Sequence, residues 1–98
     1  MVSPYRSTPV FDEITLPAAL RGEHRTKAGV WGIIRVIEGQ AALRFFDRDG
    51  ELVLSPESPG HVLPQQPHSV TPRGRMRMRV DFYNEPPDAD QSPRAGGA

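Results

Sequence analysis

The sequence predicts an all-β fold in which antiparallel strands form a sandwich or a barrel. Strand-like segments rich in β-branched residues follow one another, short turns separate them, and no stretch carries a long helical periodicity. The 11 prolines and 9 glycines interrupt nearly every segment, which also disfavours long helices. With 98 residues, the chain has room for one domain.

The middle of the chain contains the clearest strand signals. Residues 30–38 are rich in valine and isoleucine and end at Gly39, as a largely buried strand would. Residues 41–47 and 51–55 are predicted to pair as a hairpin, because an Asp-Gly turn signal lies between them.

The second half continues with short strands and ends in a longer one. Residues 62–63 and 69–71 are predicted as short strands on either side of a proline-rich corner. Residues 76–83 alternate, which predicts that Met76, Met78, Val80 and Phe82 face one way and Arg77, Arg79, Asp81 and Tyr83 the other. The first few residues are expected to be extended or frayed.

The composition changes after Asn84. We predict one domain over residues 1–85, followed by a disordered tail over residues 86–98, because the tail is rich in proline, glycine and charge.

Composition excludes several classes of function. There is no cysteine, which excludes disulfides and thiolate chemistry. Lys plus Arg and Asp plus Glu balance at 12 each, so we expect no nucleic-acid partner held by net charge. No apolar run approaches the length of a membrane span and no signal peptide is evident, so we expect no membrane partner and a cytoplasmic protein. Self-association would bury more surface in so small a domain, and a homodimer is expected.

Two histidines are the best candidates for a site. His68 follows the proline-rich corner, and His24 lies in a polar stretch before the first long strand. Two imidazoles and a carboxylate suit a divalent metal. Glu23, Gln66 and Asp81 are candidates for the third ligand. Asp81 is preferred, because a carboxylate between the apolar residues Val80 and Phe82 in a strand is unusual unless it has a specific role.

Other side chains are predicted to contact a ligand. Arg25 and Lys27 flank His24 and would favour an anion if they converge with the histidines. Trp31 and Gln66 are further candidates for lining the pocket. Each of these residues also has an ordinary interpretation, as a solvated charge, a core aromatic or a loop amide.

The order of these motifs resembles one family. The segments His24-Arg-Thr-Lys-Ala-Gly-Val-Trp-Gly, Ile37-Glu-Gly, Leu63-Pro-Gln-Gln-Pro-His68 and Val80-Asp-Phe-Tyr83 are similar to the tellurite-resistance TehB/YeaR-like domain. The resemblance implies a small cupin-type double-stranded β-helix, or jelly-roll, barrel that is usually dimeric. It also implies a form without the methyltransferase domain that some relatives carry, and no nucleotide cofactor is expected.

The resemblance extends to the wider cupin superfamily at four metal-ligand positions. His24 and His68 match two of the usual histidines, whereas Thr26 stands in place of another and Trp31 falls near the glutamate position. The comparison therefore implies an incomplete metal set.

Three hypotheses for function remain open at this stage. The first is a stress-response protein, related to tellurite, other oxyanions or nitrogen oxides. It would bind a small molecule or an anion, with or without a divalent metal such as zinc, iron, nickel or manganese. The second is a metal-dependent cupin enzyme that uses His24, His68 and Asp81. The third is a structural module that dimerises and recruits a partner.

Overall fold

Two antiparallel β-sheets form the part of the protein that the structure describes. The structure is a computed structural model and describes residues 2–87. In chain order the strands are β1 (Arg6–Ser7), β2 (Phe11–Asp12), β3 (Trp31–Glu38), β4 (Ala41–Phe45), β5 (Glu51–Leu54), β6 (Gly60–Val62), β7 (His68–Pro72) and β8 (Arg77–Tyr83). The first sheet has the order β1-β8-β3-β6, with β2 also paired to β8, and the second has the order β5-β4-β7. The all-β, antiparallel prediction is confirmed.

The hydrophobic core lies between the two sheets. The first sheet contributes Ile34 and Val36 from β3 and Met78 from β8, and the second contributes Leu43 and Phe45 from β4. All five side chains are buried. The alternation along residues 76–83 therefore assigned the inner face of β8 correctly, since a strand presents successive side chains to opposite faces.

Within the described part of the chain, helical structure is confined to one short turn, α1 (Ala18–Arg21), before β3. Among residues 2–87 no helix has the length and apolarity needed to cross a bilayer. Most of the tail predicted for residues 86–98, from residue 88 onward, lies outside the described residues.

The N-terminal segment is paired rather than frayed. Tyr5 and Thr8 donate their backbone N–H groups to carbonyl oxygens of β8, each at 2.9 Å. The Thr8 hydroxyl accepts a hydrogen bond from the Val80 N–H at 2.9 Å, so a side chain completes the ladder. β1 and β2 have two residues each, too few to show a strand alternation in the sequence.

Gly39 ends β3 in a turn that only glycine fits. Its φ is +77°, in the region that favours glycine. A Cβ built at this position would overlap the carbonyl oxygen of Arg75 and crowd Met76. The close approach brings the start of β8 against the end of β3.

We expect Gly39→Ala to destabilise the fold far more than Gly74→Ala. Gly74 also has a positive φ, +73°, so either alanine costs roughly 1–2 kcal/mol of backbone strain. Nothing lies within 4 Å of a Cβ built at Gly74. In Gly39→Ala the Arg75 carbonyl must move, and we expect this movement to cost at least a further ~2 kcal/mol. Urea unfolding of the two variants tests this. Equal losses would show that the carbonyl moves away freely.

Candidate functional site

A two-residue bridge ties the segment before β3 to the beginning of β7. The backbone N–H of His24 donates to the carbonyl oxygen of His68 at 2.9 Å, and the N–H of His68 donates to the carbonyl oxygen of His24 at 2.9 Å. This reciprocal pair is the pattern of antiparallel strands. It places two histidines that are distant in sequence side by side.

The two imidazole rings contact each other. Their centroids are 4.0 Å apart and their planes are tilted by 55°. Nδ1 of His24 lies 3.0 Å from the Gly22 carbonyl oxygen, and Nδ1 of His68 lies 2.8 Å from the Gln66 carbonyl oxygen. Because a carbonyl oxygen only accepts, each Nδ1 carries the hydrogen and donates it. In the uncharged form of either ring the lone pair therefore lies on Nε2, to which no described residue donates a hydrogen bond.

The proline-rich corner before His68 is a tight turn that Thr26 stabilises. The Gln66 N–H donates to the carbonyl oxygen three residues earlier at 3.1 Å, with Pro64 second in the turn and Gln65 third, at φ +61°. These are the preferences of a type II turn, although glycine usually occupies the third position. The Thr26 hydroxyl accepts a hydrogen bond from the Gln65 N–H at 3.2 Å, which helps to hold this strained residue. The turn thereby fixes the Gln66 carbonyl that orients the His68 ring.

A cavity of about 160 Å³ lies beside the histidine pair. Its walls are mostly apolar and include Leu20, Ile34, Val62, Val70, Val80 and Phe82. Its polar side chains are Thr8, His24, Arg25, Thr26 and His68, and no described carboxylate lines it. A dry apolar cavity of about 150 Å³ is large enough to hold benzene. This cavity is therefore large enough for one small ring or a short branched chain.

His68 is neutral near pH 7. The side chain is buried, and burial is the main reason that its pKa falls from 6.5 to about 4. The adjacent His24 also lowers the pKa of His68, whereas the hydrogen bond to the Gln66 carbonyl opposes the shift. A neutral His68 leaves its Nε2 available to accept a hydrogen bond from a ligand.

The structure does not bring Asp81 to the histidines. Val80 and Phe82 line the cavity, so Asp81, between them on β8, projects from the opposite face of the sheet. The prediction of Asp81 as a third metal ligand depended on which face of this strand is interior. On that opposite face, hydrogen bonds stabilise the buried carboxylate of Asp81.

An ion-pair network surrounds Asp81. Its carboxylate accepts hydrogen bonds from Arg35 Nε at 2.6 Å, from the Ser7 hydroxyl at 2.7 Å and from Arg79 Nε at 3.0 Å. Arg35 also donates to the Tyr83 hydroxyl at 3.1 Å. Burial raises the pKa of Asp81, but the hydrogen bonds from the two arginines and Ser7 outweigh it and leave that pKa below 3.8. The network ties β1, β3 and β8 together.

The donors beside the cavity do not form a complete metal set. Among residues 2–87 no three His, Asp or Glu side chains group in a way that would hold a metal ion. The histidine pair provides two nitrogens, whereas catalytic zinc sites usually have three protein ligands. Glu23, another predicted candidate, is about half exposed and pairs with Arg25 at 3.5 Å. These donors therefore fit a ligand-binding pocket better than a catalytic metal centre.

Arg25 and Lys27 lie at the edge of the site. Arg25 lines the cavity and also a second, more open space of about 280 Å³. Lys27 lines only the second space, together with Arg6. We call this second space the basic recess; its walls are Tyr5, Arg6, Thr8, Arg25, Thr26, Lys27, Val30 and Phe82.

Trp31 and Gln66 do not line the cavity. Trp31 lines a surface cleft with His61, Leu63 and the prolines that follow β8. The Gln66 side chain fixes the proline-rich corner, because its Oε1 accepts a hydrogen bond from the Leu63 N–H at 3.0 Å and its Nε2 donates to Asp47 at 3.3 Å.

Sequence reasoning missed several residues at the site, among them Arg6, Thr8, Gly32 and Phe82. Arg6 and Thr8 belong to the segment expected to be frayed, and nothing in its pattern pointed to the pocket. Phe82 was assigned to the inner face by alternation, which would have identified it as a wall. Gly32 lines the cavity, where the absence of a side chain leaves room.

The sequence pattern of the TehB-like domain family matches residues 6–80. This chain belongs to the TehB-like domain family. The match covers every element from β1 to β7, most of β8, and both histidines. The family resemblance inferred from the motifs is thus confirmed. No functionally curated protein matches the chain.

Solved structures of TehB, of an Escherichia coli protein and of one cupin superfamily protein have a similar fold. TehB from Haemophilus influenzae is 29% identical with a TM-score of 0.74, and the match covers 82% of this chain but only 30% of that one. A protein from Escherichia coli strain K12 is 20% identical with a TM-score of 0.78, covering 88% and 93%. A cupin superfamily protein from Desulfitobacterium hafniense is 16% identical with a TM-score of 0.55, covering 80% and 81%. This TehB-like domain therefore has the predicted cupin-like jelly roll, although its two sheets are not hydrogen-bonded to each other into a closed barrel among residues 2–87.

We expect the stability of this TehB-like domain to fall between pH 6.5 and pH 4. The folded pKa of His68 lies below the unfolded value, so the unfolded state binds the proton first. Neutral His68 contributes roughly 3 kcal/mol to the free energy of unfolding above pH 6.5, and this contribution is lost as the pH falls to about 4. Urea unfolding across this range measures it.

The control for this titration is His68→Asn, in which a non-titrating amide replaces the imidazole. Its stability should change less than that of the wild type across the same range. The carboxylates with lowered pKa values, Asp12 and Asp81, lose their contribution only below pH 3.8. Parallel pH profiles for the two proteins would contradict the lowered pKa of His68.

Proposed function

We propose that this TehB-like domain is a binding module that takes a small molecule into the cavity beside His24 and His68. One observation carries the proposal: two imidazoles with available Nε2 acceptors border an apolar cavity large enough for a benzene-sized group. Ligand pockets typically combine apolar walls with a few oriented polar groups. The ligand would bury an apolar part against Ile34 and Val70 and donate a hydrogen bond to an imidazole.

The bridge between His24 and His68 makes these acceptors rigid. Each ring is held by its backbone and by the hydrogen bond that its Nδ1 donates. A ligand would therefore meet groups that are already oriented, and less conformational entropy would be lost on binding.

A role in the response to tellurite, other oxyanions or nitrogen oxides is part of this proposal and rests on the family resemblance. A free oxyanion is disfavoured deep in the cavity, because apolar walls and a neutral His68 do not replace its hydration. Arg25 at the edge of the cavity is the position where an anion would be held.

A weakly held divalent metal is a second candidate, and the contact between two rings whose Nδ1 atoms are already hydrogen-bonded, so that each Nε2 could bind a metal, favours it. Zinc, iron, nickel and manganese all accept imidazole ligands, and water would fill the other positions. This candidate requires no carboxylate.

We expect phenol to bind the wild type and Gly32→Ala but not Gly32→Leu. A Cβ at Gly32 would lie 3.6 Å from Thr26 Cγ2 and 3.8 Å from the nearest atoms of Val62 and Val80, so alanine fits. A leucine would extend into the cavity and fill it. Binding is measured from the Nε2 ¹⁵N shifts of the histidines and from the rise in melting temperature with phenol concentration.

Circular dichroism establishes that Gly32→Leu is folded before its binding is interpreted. Phenol that binds equally well to the folded leucine variant occupies some other place, and the proposed cavity would then be rejected. The alanine variant is the matched control, since it changes the same position and leaves most of the volume open.

For the metal candidate, we expect untagged protein at equilibrium with added zinc in dialysis to hold about one zinc per chain and His68→Asn to hold almost none. Asp81→Asn should retain the metal, because Asp81 lies on the other face of its sheet. Elemental analysis of the three proteins measures this. Equal metal contents in the wild type and His68→Asn would exclude the histidine pair as the metal site.

A further inference from the structure

We propose that the cavity and the basic recess together form one site for a small aromatic or branched aliphatic carboxylate. The apolar body would occupy the cavity and the carboxylate would lie in the basic recess. The inference rests on the proposed function, since it requires that the cavity accept a ligand, and it specifies the chemical class of that ligand.

The two spaces are continuous in their walls. Thr8, Arg25, Thr26 and Phe82 line both of them. Phe82 comes from β8, and Thr8 is hydrogen-bonded to Val80 of the same strand, so these two parts of the shared wall lie at the first sheet. A single ligand a few bonds longer than its ring would contact both spaces at this wall.

The basic recess has an excess of positive charge. Arg6, Arg25 and Lys27 line it, and no described acidic residue does. Arg25 has one acidic partner, Glu23, at 3.5 Å, and both side chains are about half exposed. The side chains of Arg6 and Lys27 make no hydrogen bond or ion pair within residues 2–87. An anion bound in the recess would therefore compete with only one exposed ion pair.

The division of the site into apolar and basic parts identifies the ligand class. A carboxylate is planar and accepts two hydrogen bonds from a guanidinium such as that of Arg25. Its charge stays in the open recess, where water still reaches it, while its apolar part fills the cavity. An inorganic oxyanion would use only the recess, and a neutral hydrocarbon would use only the cavity. A carboxylate with a body of about benzene size uses both.

Titration calorimetry with benzoate, phenylacetate and 3-phenylpropionate, each paired with its alcohol analogue, tests the inference. The alcohols have the same rings and no charge. We expect at least one carboxylate to bind about tenfold more tightly than its alcohol, and a rise in salt concentration to remove most of the difference.

Variants locate each part of the bound carboxylate. The double substitution Arg25→Gln and Lys27→Gln should abolish the preference for the carboxylate, so that each carboxylate and its alcohol bind this variant with similar affinity. Arg73→Gln is the matched control, because Arg73 is exposed and lines neither space, and it should retain the preference. Gly32→Leu should remove the binding of both compounds.

Three results would overturn the inference in distinguishable ways. If carboxylates and alcohols bind equally, the cavity binds ligands as proposed but the recess does not recognise a carboxylate. If carboxylate binding survives in Gly32→Leu, the anion occupies the recess alone. If none of the aromatic compounds binds, neither the carboxylate site nor the proposed binding function stands.

Discussion

The reciprocal backbone hydrogen bonds between His24 and His68 are the constraint on which the site depends. The segment around His24 leads into β3 of the first sheet, while His68 begins β7 of the second. The bridge therefore ties one sheet to the other at the side of the cavity. It also satisfies backbone groups of a segment that has no other strand partner among the described residues, and it places two imidazoles in contact. If this bridge opened, the histidine pair and the wall of the cavity would be lost together.

Alternation along β8 separates the charged groups from the pocket. Val80 and Phe82 face the cavity, and Asp81 faces the arginines on the other side of the sheet. A carboxylate next to the histidines would raise their pKa values and favour imidazolium. Its placement on the opposite face helps to keep His68 neutral and able to accept a hydrogen bond. The same strand thus stabilises the sheet through ions on one face and forms an apolar wall with the other.

Local patterns in the sequence were sufficient for the long strands but not for the contacts between distant segments. The β-branched run of β3, the Asp-Gly turn after β4 and the alternation of β8 are local signals, and each predicted its strand to within one or two residues. The pairing of β1 and β2 depends on β8, more than 60 residues later, and two-residue strands have no pattern of their own. His24 and His68 were selected as candidates from their surroundings and from the family resemblance. The roles of Asp81, Gln66 and Trp31 required knowledge of which face each side chain occupies.

Under the proposed function, the neutral interior and the basic edge would together let so small a domain discriminate between ligands. Exposed ion pairs contribute about 0–1 kcal/mol each, so Arg25 and Lys27 alone would hold any anion weakly. An apolar cavity of this size favours a ring or a branched chain of matching volume but does not recognise charge. Because both contributions are modest, a ligand that makes only one of them would bind more weakly than a ligand that makes both. The proposed selectivity for ligands that combine the two properties would therefore depend on the proximity of the two spaces, which share Phe82 and Thr8 in their walls.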